Sequence, residues 1–331
     1  MSPRADEDVL RHCLEQAAPD VFGGPGGIAT LHRDRCKLVT SYDAYVLTAR
    51  LAAGGEVRAF LKDFGVSARP KDGPRERRER ELQVYRELLA DAGLGTPRYY
   101  GSVWDAAAGR FWLLLEYVDG TPVGYCDLAC WAPAAAVLGR LHGHFGRYAG
   151  RLGAHDFLIR HDTESYRAKA DMAVCDVGQL APYLVDRLAP VVRRYLELVP
   201  VLVDQPVTLL HGGCRATNIL IRVAYDPDRA CILDWEEAGI GAPLFDVAYL
   251  LDGIEPPTID PLLEAYRRDA RAYGLPLPAP ADMKYVMDCF RLHLVMNSFS
   301  QAVLKRFKEN GILKLLALGE RICDGLARRG S

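Results

Sequence analysis

The sequence predicts an α+β protein with two lobes, a small antiparallel sheet with one prominent helix and then a mainly helical part. Strand-like runs joined by short turns dominate residues 45–118, with one helical segment between them. After about residue 127, long segments with helical periodicity take over. The chain of 331 residues is long enough for two cores. We therefore predict an N-terminal lobe over residues 1–119 and a C-terminal lobe over residues 120–331.

The predicted N-terminal lobe is a helix, a β-hairpin, a second helix and two more strands. The runs YVLTARL and VRAFLKDF flank a Gly-containing turn, which favours a hairpin. Alternation along the second run places Lys62 on the same face as Phe60 and Phe64. The predicted elements are Asp6–Ala17, Tyr45–Leu51, Val57–Phe64, Arg75–Ala92, Arg98–Val103 and Phe111–Val118.

The predicted C-terminal lobe is a set of helices with a short β region inserted. The β region comprises LLHGGCRATNIL, from Leu209 to Leu220, and the later run ACILDWEEAG. Apolar residues recur at helical spacing elsewhere. The predicted helices are Trp131–Tyr148, Glu164–Cys175, Tyr183–Leu198, Asp246–Leu251, Pro261–Tyr273, Met283–Lys308 and Ile312–Arg328.

Composition excludes several classes of protein. Half of the residues are apolar and the net charge is −2, which argues against a nucleic-acid binder. No apolar run approaches the ~20 residues of a membrane span, and the N-terminus lacks the apolar core of a signal peptide. We expect a cytoplasmic protein without membrane contact, whose nine cysteines are free thiols.

Four polar residues on separate segments suggest phosphoryl transfer. Lys62 lies in a strand, Glu81 near the start of a helix, Asn218 at the end of a loop and Asp234 at the end of an apolar strand. In phosphoryl-transfer sites a Lys pairs with nucleotide phosphates, a helix Glu orients it, and Asn and Asp oxygens hold Mg²⁺.

Each of these residues also has a simpler interpretation. Lys62 could be a solvent-facing strand residue, and Asn and Asp are common in turns. Glu76 and Glu79 compete with Glu81 for the role of the helix Glu, because all three lie in one charged run.

Two motifs resemble those of the aminoglycoside phosphotransferase/choline kinase-like family, a branch of the protein-kinase-like fold. That family has His-Gly-Asp-x-x-x-x-Asn and then a strand end with Asp-Trp/Phe-Glu. Here the motifs are HGGCRATN and ILDWEEAGIGAPLFDVAYLL, in the same order, and the resemblance runs from about Tyr42 to the C-terminus. It implies a two-lobe kinase-like fold that uses ATP or GTP with Mg²⁺.

The resemblance also assigns roles in the N-terminal lobe. Lys62 would contact the α- and β-phosphates, with Glu81 as its ion-pair partner. LLLEYVDG would be the hinge, where backbone groups of Glu116, Tyr117 and Val118 meet adenine and the Tyr117 ring packs nearby.

In the C-terminal lobe, the resemblance assigns magnesium to Asn218 and Asp234. Asp246 would brace the catalytic loop. His211 and His142 would be structural, the latter in the segment LGRLHGHF.

The sequence departs from the family at Gly213, where the family carries the Asp that orients the acceptor hydroxyl and takes its proton. Cys214 is a poor base unless its pKa is lowered, and Arg215 stays protonated and can only bind anions. Transfer could be slow, absent, or assisted by another acid from the helical lobe or from the substrate. An Asp→Gly substitution made to trap a complex is a fourth explanation.

We therefore expect an ATP- and Mg²⁺-dependent phosphotransferase with atypical base catalysis. Its acceptor would be a hydroxyl of a small molecule (an antibiotic, amino alcohol or sugar) or a Ser/Thr of a biosynthetic precursor peptide. The basic segment SARPKDGPRERR either holds a peptide or phosphates, or is an exposed loop. The alternative function is a catalytically inactive pseudokinase that binds nucleotide and serves a protein partner.

Overall fold

A computed structural model describes residues 3–36, 42–67, 71–90, 93–222, 230–254 and 258–329 of the chain. These residues form two compact units. The first contains Met1–Gly120 with Arg222 and Cys231–Glu236, and the second contains Thr121–Ile221 and Glu237–Ser331. The sequence placed residues 231–236 in the C-terminal lobe. They belong to the first unit because Ile232 N donates to Gly95 O and the acids that follow bind its lysines.

The first unit is built on a five-stranded sheet in the order β1-β2-β3-β5-β4, antiparallel at each pairing. Its elements are α1 (Pro3–Ala17), α2 (Pro19–Phe22), β1 (Ile28–Arg35), β2 (Tyr42–Leu51), β3 (Glu56–Ser67), α3 (Pro74–Gln83), β4 (Tyr99–Asp105) and β5 (Arg110–Glu116).

The two faces of this sheet have different roles. Leu61 of β3 lies in an apolar core with Leu10 and Leu14 of α1. The next residue, Lys62, points to the opposite face, as alternation along a strand requires, and meets Glu81 of α3 there. One face thus carries the core and the other carries charge.

Two features of the first unit differ from the prediction. The sequence pattern did not indicate β1, an edge strand in which only Ile28 is buried, so its apolar alternation is weak. The predicted helix Arg75–Ala92 is α-helical only to Gln83 and continues as a π-helix, Val84–Leu89. The wider turn carries residues five apart to one side, and Val84 and Leu89 are both buried.

The rest of the chain is mainly helical, as predicted. Its elements in order are β6 (Thr121–Pro122), α4 (Trp131–Gly146), α5 (Ala149–Leu152), β7 (Ile159–Arg160), α6 (Thr163–Leu180), α7 (Val185–Val203), β8 (Thr208–Leu210), β9 (Ile219–Ile221), β10 (Ala230–Ile232), β11 (Gly239–Gly241), α8 (Leu244–Leu250), α9 (Ile259–Ala272), α10 (Pro280–Phe299) and α11 (Glu309–Arg329).

Within the second unit, α10 packs against α6, α7, α8 and α11. Strand β11 pairs with β7 in parallel and with β8 antiparallel, and β6 pairs with β9 antiparallel. The predicted helix Met283–Lys308 was too long. It ends at Phe299, and Arg306 adopts a left-handed φ of 52° before α11 begins.

Two expectations about the chain as a whole can be compared with the structure. All nine cysteines are free, as predicted. None of the described helices is long and apolar enough to cross a bilayer.

Candidate functional site

Lys62 occupies the centre of the first unit's sheet, where β3 pairs with β2 at Ala44 and with β5 at Leu113. Its side chain is buried. Nζ donates to Glu81 Oε2 at 2.6 Å and to Asp234 Oδ1 at 2.5 Å. The structure therefore brings together three of the predicted site residues, a Lys, a helix Glu and the strand-end Asp.

The competing candidates for the helix Glu lie elsewhere. Glu79 accepts a hydrogen bond from Arg75 Nε at 2.9 Å on the exposed side of α3. Glu81 is the residue that meets the lysine because it lies at the end of the helix that is buried against the sheet. Lys62 is thus not a solvent-facing strand residue.

The buried Lys–Glu pair has strongly shifted proton affinities. Burial lowers the pKa of Lys62, but the charges of Asp234 and Glu81 outweigh burial, so the net pKa lies above its usual range. Burial raises the pKa of Glu81 to about 7, against the opposing charge of Lys62. The lysine stays charged, and the glutamate is the titratable member of the pair.

Asp234 is the accessible acid of this group. Its side chain is 38% exposed, whereas that of Glu81 is 1% exposed. Its backbone has a φ of 68°, a left-handed conformation that is uncommon outside glycine and clusters at functional sites.

Oxygens of Glu81, Asp234 and Glu236 lie within 4.8 Å of one another. Carboxylate oxygens are the ligands that Mg²⁺ prefers, so this donor set fits the ion that the sequence predicts. Glu236 is already engaged, because Lys71 Nζ donates to Glu236 Oε2 and Arg77 Nη1 lies 3.5 Å from Glu236 Oε1. Asp234 is also held, by Lys62, but its side chain is 38% exposed against 12% for that of Glu236, so Asp234 is the acid of the group that a metal ion can reach.

The basic segment SARPKDGPRERR has a structural role that the sequence did not reveal. Lys71 and Arg77 bind Glu236, and Arg80 Nη1, in the next turn of α3, donates to the Glu236 carbonyl at 2.6 Å. Residues 68–70 of the segment lie outside the described part of the chain. Part of its charge thus anchors residues 231–236 to α3.

The predicted hinge follows β5. Glu116 N donates to Arg98 O at 2.8 Å, which commits that amide to the sheet. Glu116 Oε1 accepts from Arg222 Nη2 at 2.8 Å. Tyr117 is half-buried, with the Arg58 guanidinium 4.3 Å from its ring centroid. Val118 is also half-buried.

The predicted catalytic loop follows β8 in the second unit and is held by Asp246 of α8. His211 N donates to Asp246 Oδ2 at 2.6 Å, and Gly212 N donates to Asp246 Oδ1 at 3.0 Å. His142 Nε2 lies 3.2 Å from Asp246 Oδ2, and its Nδ1 lies 3.0 Å from Tyr266 Oη. Asp246 and His142 are both fully buried. The sequence did not reveal Tyr266, because its partner is 124 residues away.

Gly212 and Gly213 have different constraints. Gly212 has a φ of 81°, and a Cβ there would overlap the Glu237 carbonyl oxygen. Gly213 is not among the residues with positive φ. Its carbonyl accepts from Arg215 N at 2.7 Å and from Asn218 Nδ2 at 3.1 Å. The second bond commits Nδ2 of Asn218 to the loop, so Oδ1 is the atom that a cation would use.

The two residues that follow Gly213 in the sequence are not suited to act as a base. Cys214 is fully buried, and burial raises the pKa of its thiol well above the usual range. Arg215 is exposed, with its guanidinium 5.4 Å from the Tyr249 ring centroid.

Solved structures of small-molecule kinases share this fold. Choline kinase from Cryptosporidium parvum aligns with a TM-score of 0.61 and 11% identity over 98% of this chain and 97% of its own. A macrolide 2′-phosphotransferase from Brachybacterium faecium aligns with a TM-score of 0.56 and 18% identity over 95% of this chain and 97% of its own. The GDP complex of an aminoglycoside 2′-phosphotransferase aligns with a TM-score of 0.56 and 15% identity over 95% of this chain and 99% of its own. At these identities the likeness establishes the protein-kinase-like fold.

Comparison of the sequence with a family model identifies the family within this fold. The model of the phosphotransferase enzyme family matches residues 40–284, most of the chain, so the protein belongs to that family. A curated relative, acyl-CoA dehydrogenase family member 10 of Mus musculus, is 31% identical over 226 residues, or 60% of this chain. The matched region is 19% of that relative's length, so the chain corresponds to about a fifth of it.

Proposed function

We propose that this protein is an ATP- and Mg²⁺-dependent phosphotransferase that phosphorylates a hydroxyl of a small molecule. The observation that carries the proposal is the buried Lys62 ammonium held between Glu81 and Asp234 in the first unit. A buried Lys–Glu pair and an accessible Asp are the parts that position nucleotide phosphates in kinase-like enzymes. Membership in the phosphotransferase family supports the same reaction.

The proposed roles follow the chemistry of each side chain. Lys62 would bind the α- and β-phosphates, and Glu81 would hold the lysine in place. Asp234 Oδ and Asn218 Oδ1 would hold the ion. Bound magnesium neutralises charge on the phosphates. Backbone groups of Glu116–Val118 would meet the nucleobase.

A small-molecule acceptor is favoured over a precursor peptide. The names of the neighbouring structures refer to choline, a macrolide and an aminoglycoside, which are all small molecules. GDP in one of them keeps GTP as an alternative donor.

The competing function is a pseudokinase that binds nucleotide without turnover. Gly213 favours it, because the family's proton acceptor stands at that position. The two functions differ in one measurable respect, which is whether bound Mg-ATP is consumed.

The first test is ligand-induced stabilisation. ATP or GTP with Mg²⁺ should raise the melting temperature, and a ligand at 100 times its Kd adds about 2.7 kcal/mol to folding stability. Asp234→Asn is the sharper metal-site variant, because Asn tolerates the left-handed backbone that Ala would strain. Asp34→Asn, an exposed acid of β1 in the same unit, is the control.

We expect Asp234→Asn to weaken Mg-dependent nucleotide binding by more than about tenfold, since even outer partners of metal ligands typically contribute 10–100-fold. The second test is turnover with choline, aminopropanol, an aminoglycoside and a macrolide. Binding without turnover would favour the pseudokinase. If Mg-ATP and Mg-GTP neither stabilise the protein nor are consumed, the phosphotransferase assignment is wrong.

A further inference from the structure

Glu237 lies where the side chain of residue 213 would otherwise begin. A Cβ atom on Gly213 would sit 2.8 Å from Glu237 Oε2 and 3.7 Å from Glu237 Cδ. The backbone at Gly213 does not require glycine, because its φ is not in the left-handed region. The absence of a side chain at 213 is therefore matched by a carboxylate that fills the space.

The distance of this carboxylate from the loop backbone is close to that of the acid it would replace. In an Asp side chain the carboxylate oxygens lie roughly 2.4 Å from Cβ, given ordinary C–C and C–O bond lengths. Glu237 Oε2 lies 2.8 Å from the corresponding Cβ position at Gly213. A longer side chain from a neighbouring segment thus brings a carboxylate oxygen to a similar distance from that Cβ position.

The pairing of β8 with β11 fixes this arrangement. Gly239 of β11 is paired with Leu210 of β8 in an antiparallel ladder. The same register, extended two residues before Gly239 and two residues after Leu210, places Glu237 opposite Gly212. The missing Cβ of Gly212 permits this approach, since a side chain there would overlap the Glu237 carbonyl.

The surroundings of Glu237 are polar. Burial raises the pKa of Tyr249, and the negative charge of Glu237 adds to that rise whereas Arg215 opposes it. Asn297 Nδ2 donates to Tyr249 Oη at 2.9 Å. Glu237 is itself half-buried, so part of the residue is exposed to solvent.

Other groups at the loop are unsuited to accept a proton. A second acid, Asp246, also contacts the loop, but its oxygens accept from two backbone amides and meet His142. The Cys214 thiol is held in its neutral form by burial. Arg215 is a permanent cation.

We propose that Glu237 replaces the missing Asp and accepts the proton of the acceptor hydroxyl. This inference rests on the phosphotransferase function proposed above. The hydroxyl oxygen forms a bond to the γ-phosphorus of ATP, and the bond from that phosphorus to the β,γ-bridging oxygen breaks. ADP leaves with the electron pair, the hydroxyl proton passes to Glu237 Oε2, and Glu237 later releases it to water.

The direct test is the Mg-ATP hydrolysis of the purified full chain, with water as the acceptor. Glu237→Gln should lower kcat by about 10²–10⁴-fold, the contribution of a positioned base, with unchanged Mg-ATP affinity. It should also remove the acidic limb of the pH–rate profile, which a purely structural role would leave in place. Glu237→Asp should retain part of the activity. Glu264→Gln, an exposed acid of α9, is the matched control and should behave as wild type.

A swap of the two residues tests the geometry through stability as well as through activity. Gly213→Asp should lower the melting temperature, because its Cβ and carboxylate crowd Glu237. Adding Glu237→Ala should restore most of that loss, and the double variant should turn over more ATP than Glu237→Ala alone. Equal melting temperatures for Gly213→Asp with and without Glu237 would show that the two positions do not meet, and would overturn the inference.

The remaining outcomes separate this inference from the proposed function. If Glu237→Gln hydrolyses ATP like wild type, Glu237 is not the proton acceptor, and the phosphotransferase assignment stands. If wild type binds Mg-ATP but does not consume it, the inference is wrong and the pseudokinase is favoured. If wild type does not bind Mg-ATP or Mg-GTP, both proposals fail.

Discussion

Replacing Asp246 should loosen the predicted catalytic loop by an amount that can be worked out from its contacts. Asp246 accepts from His211 N with one oxygen and from Gly212 N with the other, at 2.6 and 3.0 Å. Asp246→Asn keeps the shape but offers one acceptor oxygen, so one of the two buried amides must face an NH₂ group. A hydrogen bond to a charged group contributes about 1.5–3 kcal/mol, and an orphaned buried donor adds its own cost. We expect a local loss of about 2–4 kcal/mol.

The assay for this loss is amide hydrogen exchange of the intact protein, measured in a proteolytic peptide that covers residues 209–214. Global denaturation is less suitable for this local effect, because it reports the unfolding of a whole compact unit, whereas exchange reports the opening of the loop itself. A loss of 2–4 kcal/mol corresponds to about 30–1000-fold faster exchange at His211 and Gly212. Asp252→Asn, an exposed acid just beyond α8, is the control.

The expectation depends on Asp246 being the group that holds the two amides. If Asp246→Asn exchanges at the control rate in this peptide, the loop is held by other contacts. Faster exchange throughout the second unit would instead indicate a general loss of packing, and would not support a specific role in the loop.

Three further predictions concern single residues. Because Glu81 holds its proton to about pH 7 in the fold and to 4.5 when unfolded, its contribution to stability is present below pH 4.5 and lost as pH rises to 7. Relative to Glu81→Gln, wild type should lose up to about 3 kcal/mol over that window in denaturant titrations. Burial lowers the pKa of His161 to about 4 from 6.5, so wild type should lose stability relative to His161→Gln as pH falls from 6.5 to 4, by a similar amount. Gly212→Ala should destabilise by more than about 2 kcal/mol in thermal unfolding, and Gly213→Ala by less, because only Gly212 combines positive φ with a backbone clash.

The sequence predicted those elements of the fold whose apolar pattern is strong. The β2–β3 hairpin alternates along much of its length, Trp112–Leu115 of β5 form a continuous buried apolar run, and α4 has a continuous apolar face. The edge strand β1 was missed because only Ile28 among its residues is buried, so its sequence lacks a clear apolar alternation. The end of α10 was missed because apolar residues continue at helical spacing past Phe299, although the helical backbone ends at that residue.

Local motifs in the sequence indicated the residues of the candidate site. Their contact partners are distant in sequence, so only the structure identifies them. The sequence could not choose between Glu79 and Glu81, since both lie in one charged run. Burial against the sheet decides, because only Glu81 reaches Lys62. The position of Glu237 beside Gly213 depends on the β8–β11 register, and neither residue carries that information in its local sequence.

The contacts of the loop also explain how a glycine can stand at 213 without dismantling the site. His211 and Gly212 are held through their backbone amides by Asp246, and Asn218 is held by the Gly213 carbonyl. None of these bonds uses a side chain at 213. Loss of an Asp there removes a proton acceptor but leaves the backbone frame intact, and a carboxylate from the paired strand end can then occupy the space. In the proposed mechanism, loop geometry and proton transfer therefore depend on different residues, which is why the swap of residues 213 and 237 is a meaningful experiment.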